Sequence, residues 1–194
     1  MPSCRYSHDW RAFLGPGALF VAAAFLILSD LHGWFAAPEH VARGQAALKA
    51  DDYVQAIHEF SKAEQRCETD IVALYGLGAA YQNYGWHDEA LQSYERVWAL
   101  AGLNGTRAMH SAGRIWVQRG ELARAAMCFQ RAVALTPASP DIWFELGTIQ
   151  RRLNAPAAAV ESFHQAVVWA PDNAVYRQAL QQMRPSPGAT NQAP

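Results

Sequence analysis

The sequence predicts an all-α protein: a solenoid of four helix-turn-helix repeats, closed by a capping helix and preceded by one transmembrane helix. Three observations predict it. Hydrophobic residues make up 51% of the 194, and an unusual share of them are alanines spread along the chain. Alanine is the best helix former and the smallest residue that still fills space between closely packed helices. Gly44, Gly78, Gly113 and Gly147 recur at a spacing of about 34 residues, within the range of helical-repeat arrays. Residues 12–28 carry no charge at all. The formal net charge of −1 supplies no field to recruit nucleic acid, so none is expected as a partner.

The chain opens on residues 1–11, a short polar tail, and then AFLGPGALFVAAAFLIL from Ala12 to Leu28. As a helix this run crosses most of the ~30 Å hydrocarbon core of a bilayer, and extension to Leu31 with modest tilt completes the span. Trp10 and Trp34 flank it at interfacial depth, and Pro16 falls in the first turns, where a missing amide donor costs least. A cleaved signal peptide competes with this reading, but Trp34-Phe35-Ala36-Ala37 places Phe35 where a small residue is needed. A buried core helix also competes, yet the repeats that follow complete themselves. A signal anchor over residues 12–31 fits best. Arg5 and Arg11 precede the span, whereas the first positive charge after it is Arg43. The positive-inside rule then puts the N-terminus in the cytoplasm and the rest, in a bacterium, in the periplasm.

The repeats follow in order over residues 37–184, with units expected at 37–70, 71–105, 106–139 and 140–173. The fourth is the clearest: Trp143, Leu146, Gly147, Ala159, Phe163, Ala166 and Pro171 hold their spacing, with Gln150 in a slot that favours tyrosine. Gly113, Trp116, Ala125, Phe129, Ala132 and Pro137 repeat it upstream, and Leu74, Leu77, Gly78, Tyr81, Ala90 and Tyr94 before that. The first repeat keeps Gly44, Ala56, Phe60 and Ala63. This pattern resembles the tetratricopeptide repeat, in which Trp, Leu, Gly, Tyr, Ala, Phe, Ala and Pro recur in that order. The resemblance implies a right-handed superhelix and places His40 and Arg43 in the usual Trp and Leu slots.

Each position also has a physical reading. A mid-helix glycine costs roughly 1 kcal/mol against alanine. Its recurrence therefore signals two helices crossing too closely for a Cβ, with Ala56, Ala90, Ala125 and Ala159 expected as the small residues opposite. Phe60, Tyr94, Phe129 and Phe163 fill the seam between repeats. Asp51-Asp52, Gly85, Gly120 and Asn154 mark the hairpin turns. Residues 174–184 read as a capping helix with Val175, Tyr176, Leu180 and Met183 against the last repeat, and 185–194 as a disordered tail. The connection between the second and third repeats, ALAGLNGT, is one residue longer than the others.

In the tetratricopeptide family the first helices line a groove that holds peptides. Projection onto this chain implies Gln45, Leu48 and Lys49 from the first repeat and Tyr75, Gln82 and Asn83 from the second. Arg107, His110 and Arg114 come from the third, and Phe144, Arg151 and Arg152 from the fourth. The later half is positive, opposed there only by Asp141, so an acidic or polar peptide with aromatic contacts at Tyr75 and Phe144 is the expected partner. Of the residues that chaperone-binding members use to hold a C-terminal carboxylate, Arg107 alone agrees; Val41, Gly76 and Ser111 occupy the other slots. Docking to cytosolic chaperones is not implied.

No catalytic constellation is legible. The seven histidines form no H-E-x-x-H, and neither a phosphate loop nor a nucleophile elbow occurs. Cys4, Cys67 and Cys128 lack paired spacing, so they are expected as small fillers or idle thiols. No enzyme activity, cofactor, metal or small-molecule substrate is expected. Two functions remain: an adaptor or assembly factor at the outer face of a bacterial inner membrane, or a permanent accessory subunit of a larger membrane complex. A cytoplasm-facing solenoid is a third arrangement.

Overall fold

A computed structural model describes residues 38–101 and 105–183, and every described element is a helix or a turn. The expected anchor at 12–31, its preceding tail, residues 102–104 of the long connection and the 185–194 tail lie outside the described residues. The helices are α1 (38–49), α2 (Tyr53–Arg66), α3 (Ile71–Tyr84) and α4 (His87–Ala101), then α5 (Thr106–Gln118) and α6 (Leu122–Leu135). They continue with α7 (Pro140–Arg152), α8 (Pro156–Trp169) and α9 (Ala174–Met183). They fall into two compact units that divide between Leu100 and Ala101, within the connection whose spacing is irregular.

Local chemistry sets the helix ends. The Asp52 carboxylate accepts from the Gln55 amide at 3.0 Å, and Asp70 accepts from Val72 and Ala73 at 2.9 and 3.1 Å. These caps satisfy amides that a first turn leaves without partners. Pro140 and Pro156 stand at the start of α7 and α8, where the fixed φ suits a helix and no donor is lost. Each hairpin closes through one left-handed residue: Asp51 (φ 57°), Gly85 (98°), Gly120 (77°) and Asn154 (57°). Glycine adopts this conformation without strain, and Asn and Asp tolerate it better than other side chains.

The core is built on four rings. Phe60, Phe129 and Phe163 are fully buried and Tyr94 is 1% exposed. A Cβ built on Gly44 lies 2.9 Å from the Phe60 ring, on Gly78 2.6 Å from Tyr94, on Gly113 2.5 Å from Phe129 and on Gly147 2.8 Å from Phe163. The sequence reading put alanines opposite these glycines. Ala56, Ala90, Ala125 and Ala159 are indeed buried, but an aromatic ring takes the space a Cβ would need. Phe60 presses equally on the next first helix, 2.4 Å from a Cβ on Gly76, so one ring joins α1, α2 and α3. In the second unit α5 packs on α6, α6 on α7, α7 on α8 and α8 on α9.

Polar pairs fill the remaining interior. At the position held by Ser93, Cys128 and Ser162 in later repeats, the first repeat carries Glu59, 4% exposed and 2.7 Å from His40 Nδ1. That hydrogen bond holds the Glu59 carboxyl below its ordinary 4.5 against the opposing effect of burial, helped by the charges of Lys62, His40 and Arg43. His40 thus puts a buried hydrogen bond to Glu59 in the slot where the repeat usually carries an apolar Trp. Gln150, in the tyrosine slot, accepts from the buried Ser162 hydroxyl at 2.6 Å. Cys67, the C-cap of α2, is disulfide-bonded, which corrects its reading as a filler or idle thiol.

Helix α9 covers the last repeat through Tyr176 and Ala179, with Leu180 and Met183 packed beside Phe163. Val175, expected on this face, is 57% exposed instead, because the buried stripe runs through 176, 179, 180 and 183. The Tyr176 hydroxyl donates to Asp141 of α7, and its ring lies 5.0 Å from that of Phe144. Burial first, then that hydrogen bond and the charges of Asp141 and Glu145, push the Tyr176 hydroxyl up to about 12.

The ring contact makes Gly147→Ala destabilising, although the substitution favours the helix. Overpacking costs roughly 1–3 kcal/mol, against about 1 kcal/mol returned by helix propensity. Urea denaturation of a double-mutant cycle checks this: the cost of Gly147→Ala should shrink in a Phe163→Leu background. A more stable Gly147→Ala protein would show that the ring yields freely.

Candidate peptide-binding site

The first helices of each unit carry the residues projected to a groove. On α1, Gln45 and Lys49 are exposed, while Leu48 packs partly against the core formed by Ala47, Phe60 and Leu77. On α3, Asn83 is exposed, but Tyr75 is half-buried with its ring 5.6 Å from Tyr94, and Gln82 accepts from the Tyr94 hydroxyl at 2.9 Å. Tyr75 and Gln82 therefore brace the seam ring rather than standing open. Both depend on Tyr94 because residues three before and four after Gly78 share its helix face.

The second unit carries an open-sided cavity of about 330 Å³ between α5 and α7. Arg114, Val117 and Gln118 line it from α5, Phe129 from α6, and Phe144, Glu145, Thr148, Ile149 and Arg152 from α7. Of the projected residues, Arg114, Phe144 and Arg152 reach the cavity. Arg107 and Arg151 are exposed on the same two helices but do not line it. His110 stands beside it, its Nε2 3.0 Å from Glu145 Oε2 and its ring 5.8 Å from Phe129.

The missed lining residues have simple causes. Phe144, Thr148 and Arg152 step by four along α7, as do Arg114 and Gln118 on α5, so a strict i, i+4 stripe traces most of the walls. Phe129 belongs to a second helix; fully buried and seated on Gly113, it backs the cavity from behind its exposed lining. Glu145 also lines the cavity and is not among the projected residues. The expectation that Asp141 alone opposes the positive charge is thereby corrected: Glu145 lies within the cavity wall, and Asp141 is taken by Tyr176.

The chemistry of the cavity is an apolar floor beneath two cations. Phe129, Phe144, Ile149 and Val117 form the floor and sides. Phe144 is half-buried, held between Phe163 at 5.7 Å and Tyr176 at 5.0 Å, so it is a fixed wall. Arg114 and Arg152 make no ion pair among the described residues, whereas Glu145 is engaged by His110. The space has the volume of a side chain or two, with two guanidinium groups among its lining residues. Among the described residues, no group of three or more His, Cys, Asp or Glu is arranged to hold a metal ion.

Helix pairs repeated in register, with an apolar, cation-rimmed cavity in the second unit, define a helical-repeat protein. Residues 113–154, from α5 through α7, match the TPR repeat family model. No curated protein matches the sequence significantly. Among solved structures, the crystal structure of MamA protein aligns with a TM-score of 0.68 at 20% identity, covering 76% of this chain and 80% of its own. MamA from residue 41 to the end, of Desulfovibrio magneticus RS-1, gives 0.66 at 22% identity, with 76% and 82% covered. The APC/C hetero-tetramer Cut9-Hcn1 gives 0.62 at 11% identity, with 75% of this chain but 29% of that one covered. The fold is therefore an all-α helical repeat of the tetratricopeptide kind.

Proposed function

We propose that the protein is a membrane-anchored interaction scaffold or assembly factor that holds a peptide segment of an envelope or membrane-complex partner in the α5–α7 cavity. The observation that carries this is the pair of guanidiniums, Arg114 and Arg152, without an ion pair among the described residues and lining an apolar cavity with fixed aromatic walls. An acidic segment with a neighbouring apolar side chain matches both. In the anchored arrangement residues 12–31 span a bacterial inner membrane once and the repeats face the periplasm. This placement rests on the uncharged run and the arginines before it; among the described residues no helix is long and apolar enough to cross a membrane.

A second reading, a permanent accessory subunit, is favoured by one surface. Val168 and Trp169 end α8 with 54% and 48% exposure, and Val175 begins α9 at 57%. A fixed subunit covers such a patch and co-purifies in constant ratio with its complex; an adaptor exchanges.

Heptapeptides selected from a randomised display library on the full chain in detergent test the binding site. Arg114→Glu with Arg152→Glu should reduce affinity at least tenfold and remove its salt dependence, with helix content and melting unchanged. Arg131→Glu and Arg177→Glu, at exposed positions away from the cavity, are the controls. Arg96 is unsuitable as a control because it bonds Glu64 and the Glu68 carbonyl. Peptides insensitive to the cavity pair but lost with the controls would move the binding surface elsewhere.

The anchor is tested separately. The full protein should resist alkaline carbonate extraction and keep residues 12–31, and a C-terminal alkaline phosphatase fusion should be active. A soluble mature form starting near Pro38 would show that a signal peptide is removed, and an inactive fusion would place the repeats in the cytoplasm.

A further inference from the structure

The cavity holds three charged side chains, and among the described residues only one of them has an ion-pair partner. Glu145 of α7 bonds His110 of α5 across 3.0 Å, while Arg114 and Arg152 stay unpaired among the described residues. His110 and Arg114 are four residues apart on α5, so Arg114 stands one turn beyond the histidine that holds Glu145. Arg152 lies two turns along α7 from Glu145, on the same face. A released Glu145 carboxylate therefore has a guanidinium within one turn and would quench it. The histidine is itself held: its ring tilts at 48° against Phe129, whose ring is fully buried.

Resting on the peptide-binding reading above, we infer that His110 is a positioning residue that sets the charge preference of this cavity by holding the Glu145 carboxylate away from Arg114 and Arg152. Without it, the cavity carries an internal carboxylate that competes with an incoming one. With it, two cations face the opening and an acidic segment is accepted. Glu145 has a consequence of its own: a basic side chain finds its carboxylate already taken, so the pair also discriminates against Lys and Arg.

The probe is an acidic heptapeptide selected on the full chain, together with its counterpart in which Asp and Glu become Asn and Gln. His110→Phe keeps the ring packed on Phe129 but loses the bond to Glu145. It should weaken the acidic peptide by roughly two- to fivefold, the range of a partly exposed ion pair, and leave the amide counterpart unchanged. His110→Phe combined with Glu145→Ala should return the acidic peptide at least to wild-type affinity, a rescue that a purely structural histidine would not give. His110→Ala with the same partner substitution repeats the comparison without the bulk of a phenyl ring. If neither His110 variant moves the acidic peptide, or if removing Glu145 does not restore it, the inference fails while dependence on Arg114 and Arg152 stands. If the library returns no acidic peptide, the inference fails together with the reading beneath it.

Discussion

At four places a buried ring rests where a first-helix glycine has no side chain: Phe60 on Gly44, Tyr94 on Gly78, Phe129 on Gly113 and Phe163 on Gly147. Each contact brings two helices of a hairpin together at a separation set by the thickness of a ring. The glycine sacrifices roughly 1 kcal/mol of helix propensity, and burial of an aromatic side chain offsets this with about 1.5–3 kcal/mol. Phe60 extends the same device to the following helix through Gly76, and Phe163 does so through Ala179 of the capping helix. At these two junctions, each inside one unit, the ring that closes the hairpin also packs on the element that follows.

The candidate site is a by-product of this packing. Because Gly113 has no side chain, the Phe129 ring seats against α5 and backs the cavity between α5 and α7. His110 then leans on Phe129, as Tyr75 leans on Tyr94 and Phe144 on Phe163. In three of the four repeats the same position therefore faces its seam ring, as tyrosine, histidine or phenylalanine. The second unit differs from the first in what surrounds that ring: arginines on both helices, a carboxylate bound to histidine, and a cap whose Tyr176 locks Phe144 and Asp141. Rigid walls of this sort lower the ordering cost of binding a peptide.

The helix order was legible because glycine, alanine and the large aromatic recur at fixed spacing, and the turn residues announce left-handed backbone. What sat opposite each glycine was not, since spacing gives the face of a helix but not the reach of a side chain from its neighbour. A phenyl ring projecting from one turn away displaces the alanine that lies nearer in register. The site was half legible for the same reason. Arg114, Phe144 and Arg152 follow from helical periodicity, whereas the His110–Glu145 and His40–Glu59 pairs join residues far apart in sequence on different helices. Tyr75 and Phe144 looked like open aromatic contacts; burial against the seam rings makes them walls. Val175 points outward because the cap turns its 176–179–180–183 stripe inward, a rotation that four apolar residues in a short helix did not fix.

The central claim is that the ring seated on a first-helix glycine shapes the cavity as well as the core. Affinity of Gly113→Ala for an acidic heptapeptide tests it most directly. A Cβ there lies 2.5 Å from Phe129, so the ring must shift, and the open volume beside it is the cavity. The account predicts weaker binding with helix content retained, and recovery when Phe129→Leu is added. Wild-type affinity in Gly113→Ala, with no gain from the second substitution, would contradict it.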